Sequence, residues 1–565
     1  ICVCDWSSDV CSSDLDDAVY DYSVEGRNRD ILKEYWRESV EQNRDFEVSY
    51  TLGMRGIHDS GFETRALKAE SKEEMRRKKV ALLQKVIGDQ KEILADTLGR
   101  DTLKLFVPYK EVLDLYDNGL DVPEDITLIW SNDNYGYVRR YPSEKEQRRS
   151  GGNGIYYHNS YWSPPGRSYL FICSIPLAQT KYELEKAYEN GIQKLWVMNV
   201  GALKPLEQEM EYYLRLAWEI GKENGSTSDV DAWLAGWIDR NFSGGHGDEM
   251  AGILNDFTQL TNVRKIENLD NDTFSQTAYG DEGAVRLNRY KEMYDRANAI
   301  YESLPENEKP AFFQMALMKI HAAYYTNAQY YFADRSTLCV NQGKMQAAAR
   351  YTEYSRFYDD QRRRMLKYYN EEMLGGKWRG MVTPEDFPPP RTAMHPACTP
   401  PLSIGGRKML ITLWNGDSEL RFTKPATKWF EIANAGAGEF TFEAEADDWM
   451  KLSETRGTVR GEIRILVTVE DTAASRKGRI QVRNRTDQTV TCIDVTVQSL
   501  TELLSAADSA ANCSSRSLGE IPPDIAAICE DDGIVAVRAD SRQAPGWRHI
   551  KRLGKIGRAS CRERV

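Results

Sequence analysis

Five polar clusters in this sequence each follow a short apolar run, and their residue types are ones that can bind polar groups and move protons. In GMRGIHD (53–59) glycines flank Arg55, so the backbone can turn sharply and Arg55, His58 and Asp59 can face one pocket. The planar fork of an arginine recognises a carboxylate through two parallel hydrogen bonds, and a neighbouring Asp can act as acid or base. The same spacing also suits a surface Arg–Asp pair capping the next helix. LKLFVPYKE (103–111) places Glu111 just past a strand. A partly desolvated carboxylate there is suited to general-acid work, although a first-turn Glu also favours a helix dipole. WSNDNYG (130–136) offers amides, Asn134 among them, for sugar hydroxyls and the flat face of Trp130 for ring carbons; its bland reading is an Asn/Asp-rich turn. GGNGIYYHNSYW (151–162), followed by SPP, gathers His158, Tyr161 and Trp162, and LWVMNVG (195–201) brings Asn199 to a strand end. Each cluster has an ordinary structural explanation, but five of them at successive strand ends converge if the strands are parallel and adjacent.

The elements that must position these residues alternate. Helical periodicity at 27–44, 72–97, 111–118, 179–190 and 205–223 is interleaved with strand-like runs at 46–51, 103–107, 126–130, 155–157, 169–172 and 195–197. This alternation predicts βα units and a parallel sheet, and polar motifs after the strands are where a (β/α)8 barrel carries its chemistry. The fold class expected is multidomain, α/β plus α plus β. It comprises a partial (β/α)8 TIM barrel over 16–227, a helical bundle over 228–383, a proline-rich linker over 384–404, a β-sandwich over 405–499, and the start of a further β domain over 500–555. The bundle rests on helical runs at 282–303, 309–332 and 344–372, and the sandwich on short alternating strands at 440–444, 463–469 and 478–482. Residues 2–15 and 556–565 are dense in Cys, Ser and Arg, lack apolar periodicity, and read as translated adapter sequence rather than evolved protein.

At 565 residues, with about 100–200 residues per domain, three or four domains are expected. The net charge of −12 gives no general attraction to nucleic acid or an anionic membrane surface, so an acidic ligand needs its own local Arg or Lys. Six of the ten cysteines (Cys173, Cys339, Cys398, Cys492, Cys513, Cys529) lie outside the adapter-like ends, scattered and without metal-ligand spacing. They read as unpaired thiols, and no cofactor or metal is expected. No apolar run is long enough to span a membrane. GxSxG, P-loop, HExxH and dinucleotide motifs are missing, which leaves hydrolysis by two carboxylates as the economical chemistry.

These motifs, in this order, resemble the α-glucuronidases of glycoside hydrolase family 115, which act on xylan and related glycans. The resemblance runs through GMRGIHD, VPYKE, WSNDNYG, GGNGIYYHNSYW and WVMNVGALKP, covering about residues 16–380, and continues more weakly beyond. It implies an inverting enzyme releasing glucuronic or 4-O-methyl-glucuronic acid, secreted or periplasmic and homodimeric in full-length form, with glucuronoxylan or another glucuronic-acid-bearing glycan as partner. It also implies that Arg55 meets the uronate, that Glu111 and Asp59 are the catalytic carboxylates, and that Asn134, His158, Tyr161 and Asn199 line the pocket. The chain lacks the family's N-terminal domain and first barrel strands, so this polypeptide is expected to be inactive. The rival reading is a non-catalytic carbohydrate-binding or cell-surface protein, against which Arg55, Asp59 and Glu111 together argue, because binding alone needs no positioned acid. A β-hexosaminidase-type barrel would need an adjacent Asp-Glu pair near the fourth strand, and none stands there.

Overall fold

The structure is a computed structural model that describes residues 2–5 (backbone only), 19–56, 61–62, 64–160, 172–200, 203–222, 225–382 and 408–499. Two compact units divide the chain. The first comprises 1–267, 293–320 and 366–391; the second comprises 268–292, 321–365 and 392–565.

The first unit is built on six strands: β1 (Cys2–Asp5), β2 (Val48–Thr51), β3 (Lys104–Phe106), β4 (Thr127–Ser131), β5 (Asn153–His158) and β6 (Ile192–Asn199). They lie in the sheet in chain order, each parallel to the next. An order that never reverses is that of a barrel segment, not of a doubly wound open sheet, and the sheet forms a half-barrel. The strand Cys2–Asp5, set aside on composition, occupies its edge and pairs with β2 from Cys2↔Val48 to Asp5↔Thr51. The apolar run at 169–172 lies outside the described residues except for Ile172.

Connecting helices are α1 (Arg27–Gln42), α2 (Lys72–Leu98), α3 (Glu111–Asp117), α4 (Glu144–Gln147), α5 (Leu177–Glu189) and α6 (Glu207–Glu219). The longest, α2, shows why these segments are helical. Ser71 caps its start by accepting from the Glu74 N–H, Glu73 and Glu74 sit in its first turn, and Gly99 ends it in the left-handed conformation. Its buried face carries Leu83, Val86, Ile87, Gln90 and Leu94 at helical spacing. The helices α7 (Val230–Asn241) and α8 (Gly247–Val263) follow. Next come α9 (Glu282–Ser303), α10 (Lys309–Phe312), α11 (Met318–Asn341) and α12 (Met345–Lys367), of which α9, α11 and α12 contribute residues to both units. The proline-rich linker expected at 384–404 lies outside the described residues.

The β part of the second unit is a sandwich of β7 (Met409–Leu413), β8 (Leu420–Phe422), β9 (Ala426–Asn434), β10 (Phe440–Ala446), β11 (Lys451–Leu452), β12 (Arg456–Val459), β13 (Glu462–Val469), β14 (Arg476–Asn484) and β15 (Val490–Val497). One sheet runs β12-β10-β14-β15-β8 and the other β11-β13-β9-β7. Strand alternation sends Phe440, Phe442 and Ala444 inward and Thr441 and Glu443 outward, and the inward side chains join Phe430, Ile432, Ile465, Val467, Ile480 and Val495 in one apolar core. Each such fully buried Phe, Ile or Val side chain contributes roughly 1.5–3 kcal/mol.

Within this unit the helical segment 321–365 meets the sandwich through buried charge. Lys344 Nζ donates to Glu431 (2.8 Å), Glu462 (2.9 Å) and Thr412 (2.9 Å). Arg335 pairs with the same two glutamates, and Tyr351 donates to Glu462 at 2.7 Å. Arg464 links Glu431 (2.8 Å) to Asp281 (2.7 Å). Burial pushes the Glu431 carboxyl up, but Arg335, Lys344 and Arg464 outweigh it and hold the group at about 2. Cys173 and Cys339 are free buried thiols and Cys492 is free and exposed, as the scattered spacing predicts. Among the described residues no helix is long and apolar enough to cross a membrane.

Candidate active site

Because β2 to β6 are parallel and adjacent, their C-terminal ends share one edge of the half-barrel, and Arg55, Glu111, Asn132, His158 and Asn199 lie at or just past those ends. Just past β2, Gly53 adopts φ 117, a conformation that favours glycine. The fully buried Gln90 of α2 holds it from both sides: the Gly53 N–H donates to Oε1 at 2.8 Å, and Nε2 donates to the Gly53 carbonyl at 3.0 Å. This clamp launches Arg55. After β3, a tight turn closed by the Val112 N–H to the Tyr109 carbonyl (3.0 Å) puts Lys110 at φ 48, ψ −124. That is a position a glycine would normally take, and the turn makes Glu111 the first residue of α3.

The two launch points converge. Arg55 Nε and Nη2 donate to the two oxygens of Glu111 at 2.9 and 3.1 Å, and the Phe62 N–H donates to Oε1 at 3.2 Å. The Arg55 side chain is 14% exposed and that of Glu111 34%, so the pair sits at a rim, not in the core. A second tether holds residues 65–66. The buried Asp21 accepts from the Arg65 N–H at 2.7 Å, and Ser23 Oγ accepts from the Ala66 N–H at 3.0 Å.

From this pair a chain of contacts crosses the remaining strand ends. The Arg55 guanidinium lies 5.6 Å from the Tyr109 ring centre. Tyr109 is 6.0 Å from the His158 ring, which meets Tyr156 edge-on at 5.2 Å. Asn199, at the end of β6, donates to the Tyr156 hydroxyl at 2.7 Å. His158 is held by Asn132, whose Oδ1 lies 2.7 Å from the His158 backbone N–H and 3.0 Å from Nδ1, and whose Nδ2 donates to the His158 carbonyl at 3.0 Å. A cation beside an acid, with aromatic faces and amides around them, is an arrangement that can orient an anionic sugar and move a proton beside it. Among the described residues no group of three or more His, Cys, Asp or Glu is placed to hold a metal ion.

Residues 5–268 match the sequence model described as glycosyl hydrolase family 115. Over these residues the chain is similar to glycosyl hydrolase family 115. Among solved structures, a family GH115 4-O-methyl-α-glucuronidase, BtGH115A, with specificity for decorated arabinogalactans, is similar at 24% identity and a TM-score of 0.55; the match covers 85% of this chain and 68% of that one. The likeness establishes the shared fold. A GH138 enzyme targeting pectin rhamnogalacturonan II is similar at 12% identity and a TM-score of 0.38, over 61% of this chain and 58% of that one. No curated protein matches the chain.

In the segment that matches this model the structure brings Arg55, Glu111, His158 and Asn199 into one chain of contacts. Asp59 and Tyr161, with His58 and Trp162, lie outside the described residues. Asn134 is exposed in the turn after β4, while Asn132, two residues earlier, holds His158. Trp130 is no sugar platform: it is 1% exposed, covered by the Arg140 guanidinium at 4.1 Å, and bonded through Nε1 to Asn153 at 3.0 Å. An aromatic residue within a parallel strand can face packed layers on both sides, as Trp130 does inside β4. Tyr109, Asn132 and Tyr156 went unremarked in the sequence. Tyr109 was accessible as the aromatic residue between a strand end and Glu111; the other two needed the pairing Ser131↔Tyr156, which no spacing along the chain reveals.

Proposed function

We propose that this chain carries the catalytic machinery of a glycoside hydrolase that removes glucuronic or 4-O-methyl-glucuronic acid side groups from xylan-type plant polysaccharides by an inverting mechanism. The observation that carries the reading is the two-pronged Arg55–Glu111 pair on neighbouring strand ends of the segment that matches the family 115 model. In this reading the half-barrel is part of a (β/α)8 barrel, and the full-length protein is a secreted or periplasmic homodimer.

The pair suggests an order of events. The guanidinium edge that now binds Glu111 is the one a substrate carboxylate would take. An incoming uronate therefore competes for Arg55 and releases Glu111 as it binds, so the acid–base group is freed only beside a charged sugar. Glu111 and Asp59 divide the remaining roles. One carboxylate takes a proton from water as the water oxygen bonds to the anomeric carbon; the other protonates the glycosidic oxygen as its bond to that carbon breaks. The separation required is roughly 6.5–9.5 Å.

The test uses the full-length protein with glucuronoxylan, with a glucuronic-acid-decorated arabinogalactan, and with methyl-esterified glucuronoxylan, measuring released uronic acid. Release from the free-acid glucuronoxylan is expected, with release from the ester lower by about 10²-fold, since the ester offers no carboxylate to Arg55. Release from the arabinogalactan alone would overturn the xylan assignment. Binding without release from any glycan would favour the non-catalytic, carbohydrate-binding reading.

A further inference from the structure

Among the described residues Glu111 accepts from two groups, the Arg55 guanidinium and the Phe62 N–H at 3.2 Å. When a uronate takes the guanidinium, the N–H alone is left to orient the carboxylate, so whatever fixes Phe62 also fixes Glu111. The Phe62 ring is buried, and just beyond it residues 64–67 form a turn closed by the Leu67 N–H to the Thr64 carbonyl at 3.1 Å. That bond uses neither of the turn's two middle N–H groups. A buried pair of side chains takes both: Asp21 Oδ2 accepts from the Arg65 N–H at 2.7 Å, and Ser23 Oγ from the Ala66 N–H at 3.0 Å. Asp21 Oδ1 in turn accepts from the Ser23 N–H (2.9 Å) and the Ser23 hydroxyl (2.5 Å), which joins the two into one unit. Asp21 is 2% exposed, and among the described residues no cation stands within ion-pair distance of it. Burying a carboxylate that has only neutral donors is costly, and an apolar residue would serve stability better. What the carboxylate supplies is acceptors at fixed points. The segment around it is fastened to make those points rigid. Asn28 and Arg29 of α1 donate to the Asp21 (3.2 Å) and Tyr22 (2.9 Å) carbonyls, and the Tyr22 hydroxyl donates to Asp89 of α2 at 2.5 Å.

We infer that Asp21 and Ser23 are positioning residues: by holding the turn at 64–67 they keep the Phe62 N–H against Glu111, and so aim the carboxylate once Arg55 has turned to the substrate. The inference rests on the proposed sugar-cleaving reading for the reaction it serves, but the clamp itself does not. Arg55 is launched separately, by the bonds between Gly53 and Gln90. Recognition of the uronate and the aim of the catalytic carboxylate are therefore held by different parts of the scaffold, and one can be loosened without the other.

Two measurements on the full-length protein test it, each comparing wild type with Asp21→Asn and with Ser23→Ala. The asparagine puts an N–H donor where one carboxylate oxygen accepts, so at least one bond of the clamp is lost; the alanine removes the acceptor for the Ala66 N–H. The first measurement is hydrogen exchange resolved to single amides. The Phe62 amide should exchange about tenfold faster in both variants, the effect of one lost hydrogen bond, while the amides of β3 and β4 keep their protection. A Phe62 amide that stays protected would overturn the inference. So would acceleration spread evenly over the whole unit, which describes residues that act on stability alone. The second measurement sets turnover against binding. The kcat for uronate release should fall by about 10- to 100-fold through misplacement of the carboxylate, while glucuronate affinity by calorimetry changes by less than about twofold. An unchanged kcat, or equal losses in kcat and affinity, would also overturn it. If Asp21→Asn fails to fold, Ser23→Ala decides by the same readings. If the wild type releases no uronic acid while the Phe62 amide still follows Asp21 and Ser23, the proposed function has failed and the clamp on Glu111 stands.

Discussion

Replacing Glu111 with alanine should lower the rate of uronic acid release by about 10²- to 10⁴-fold, the range that one positioned acid or base supplies, while the protein still folds. Folding should survive because the carboxylate is a third exposed and its pairing with Arg55 is at the rim; pairs of this kind contribute about 1 kcal/mol or less. The kinetic signature matters more than the size of the loss. Arg55 binds Glu111 through two hydrogen bonds in the substrate-free protein, so removing Glu111 removes the uronate's competitor. The loss should therefore fall on kcat, with KM unchanged or lower. Steady-state kinetics on glucuronoxylan fragments would check this. A raised KM with an intact kcat would make Glu111 a binding residue only.

The second large effect is on stability. Lys344→Met should destabilise the second unit by about 3–5 kcal/mol, the cost of leaving buried partners of an ion cluster uncompensated. Lys344 is 0% exposed and its ammonium is shared by Glu431 and Glu462, themselves 2% and 5% exposed. A methionine fills the space of the stem but supplies no donor, so the two carboxylates must lean on the arginines alone or take up a proton. Urea unfolding followed by near-ultraviolet circular dichroism would report the loss. A change below about 1 kcal/mol would show that the remaining arginines suffice.

Much of the scaffold was legible from the sequence because local chemistry fixes it. Ser71 and Gly99 bracket α2, alternating Phe440, Thr441 and Phe442 mark a strand with one buried face, and apolar runs ending in polar clusters place β2 through β6. The contacts of the candidate site were legible where side chain and strand end coincide, as for Arg55, Glu111, His158 and Asn199. They were not legible where the pairing register decides. Asn132 and Asn134 look equivalent along the chain, but the register puts Asn132 against His158 and leaves Asn134 in an exposed turn. Trp130 looked like a sugar platform for the same reason: its burial comes from Arg140 and from Asn153 on the neighbouring strand. The Lys344 cluster lay further out of reach, since its partners are 87 and 118 residues away, and nothing around a solitary lysine announces that it is buried.

The arginine at the end of β2 is the most direct point at which to test whether these strand ends hold an acidic sugar. Titration calorimetry with glucuronate and with glucose, on wild type and Arg55→Lys, separates the contribution of the carboxylate from that of the ring. Saturable glucuronate binding is expected, weakening by about tenfold or more when the two-pronged guanidinium becomes a single ammonium, with glucose binding weaker from the start and insensitive to the change. Equal binding of the two sugars, or glucuronate binding that survives Arg55→Lys undiminished, would contradict it.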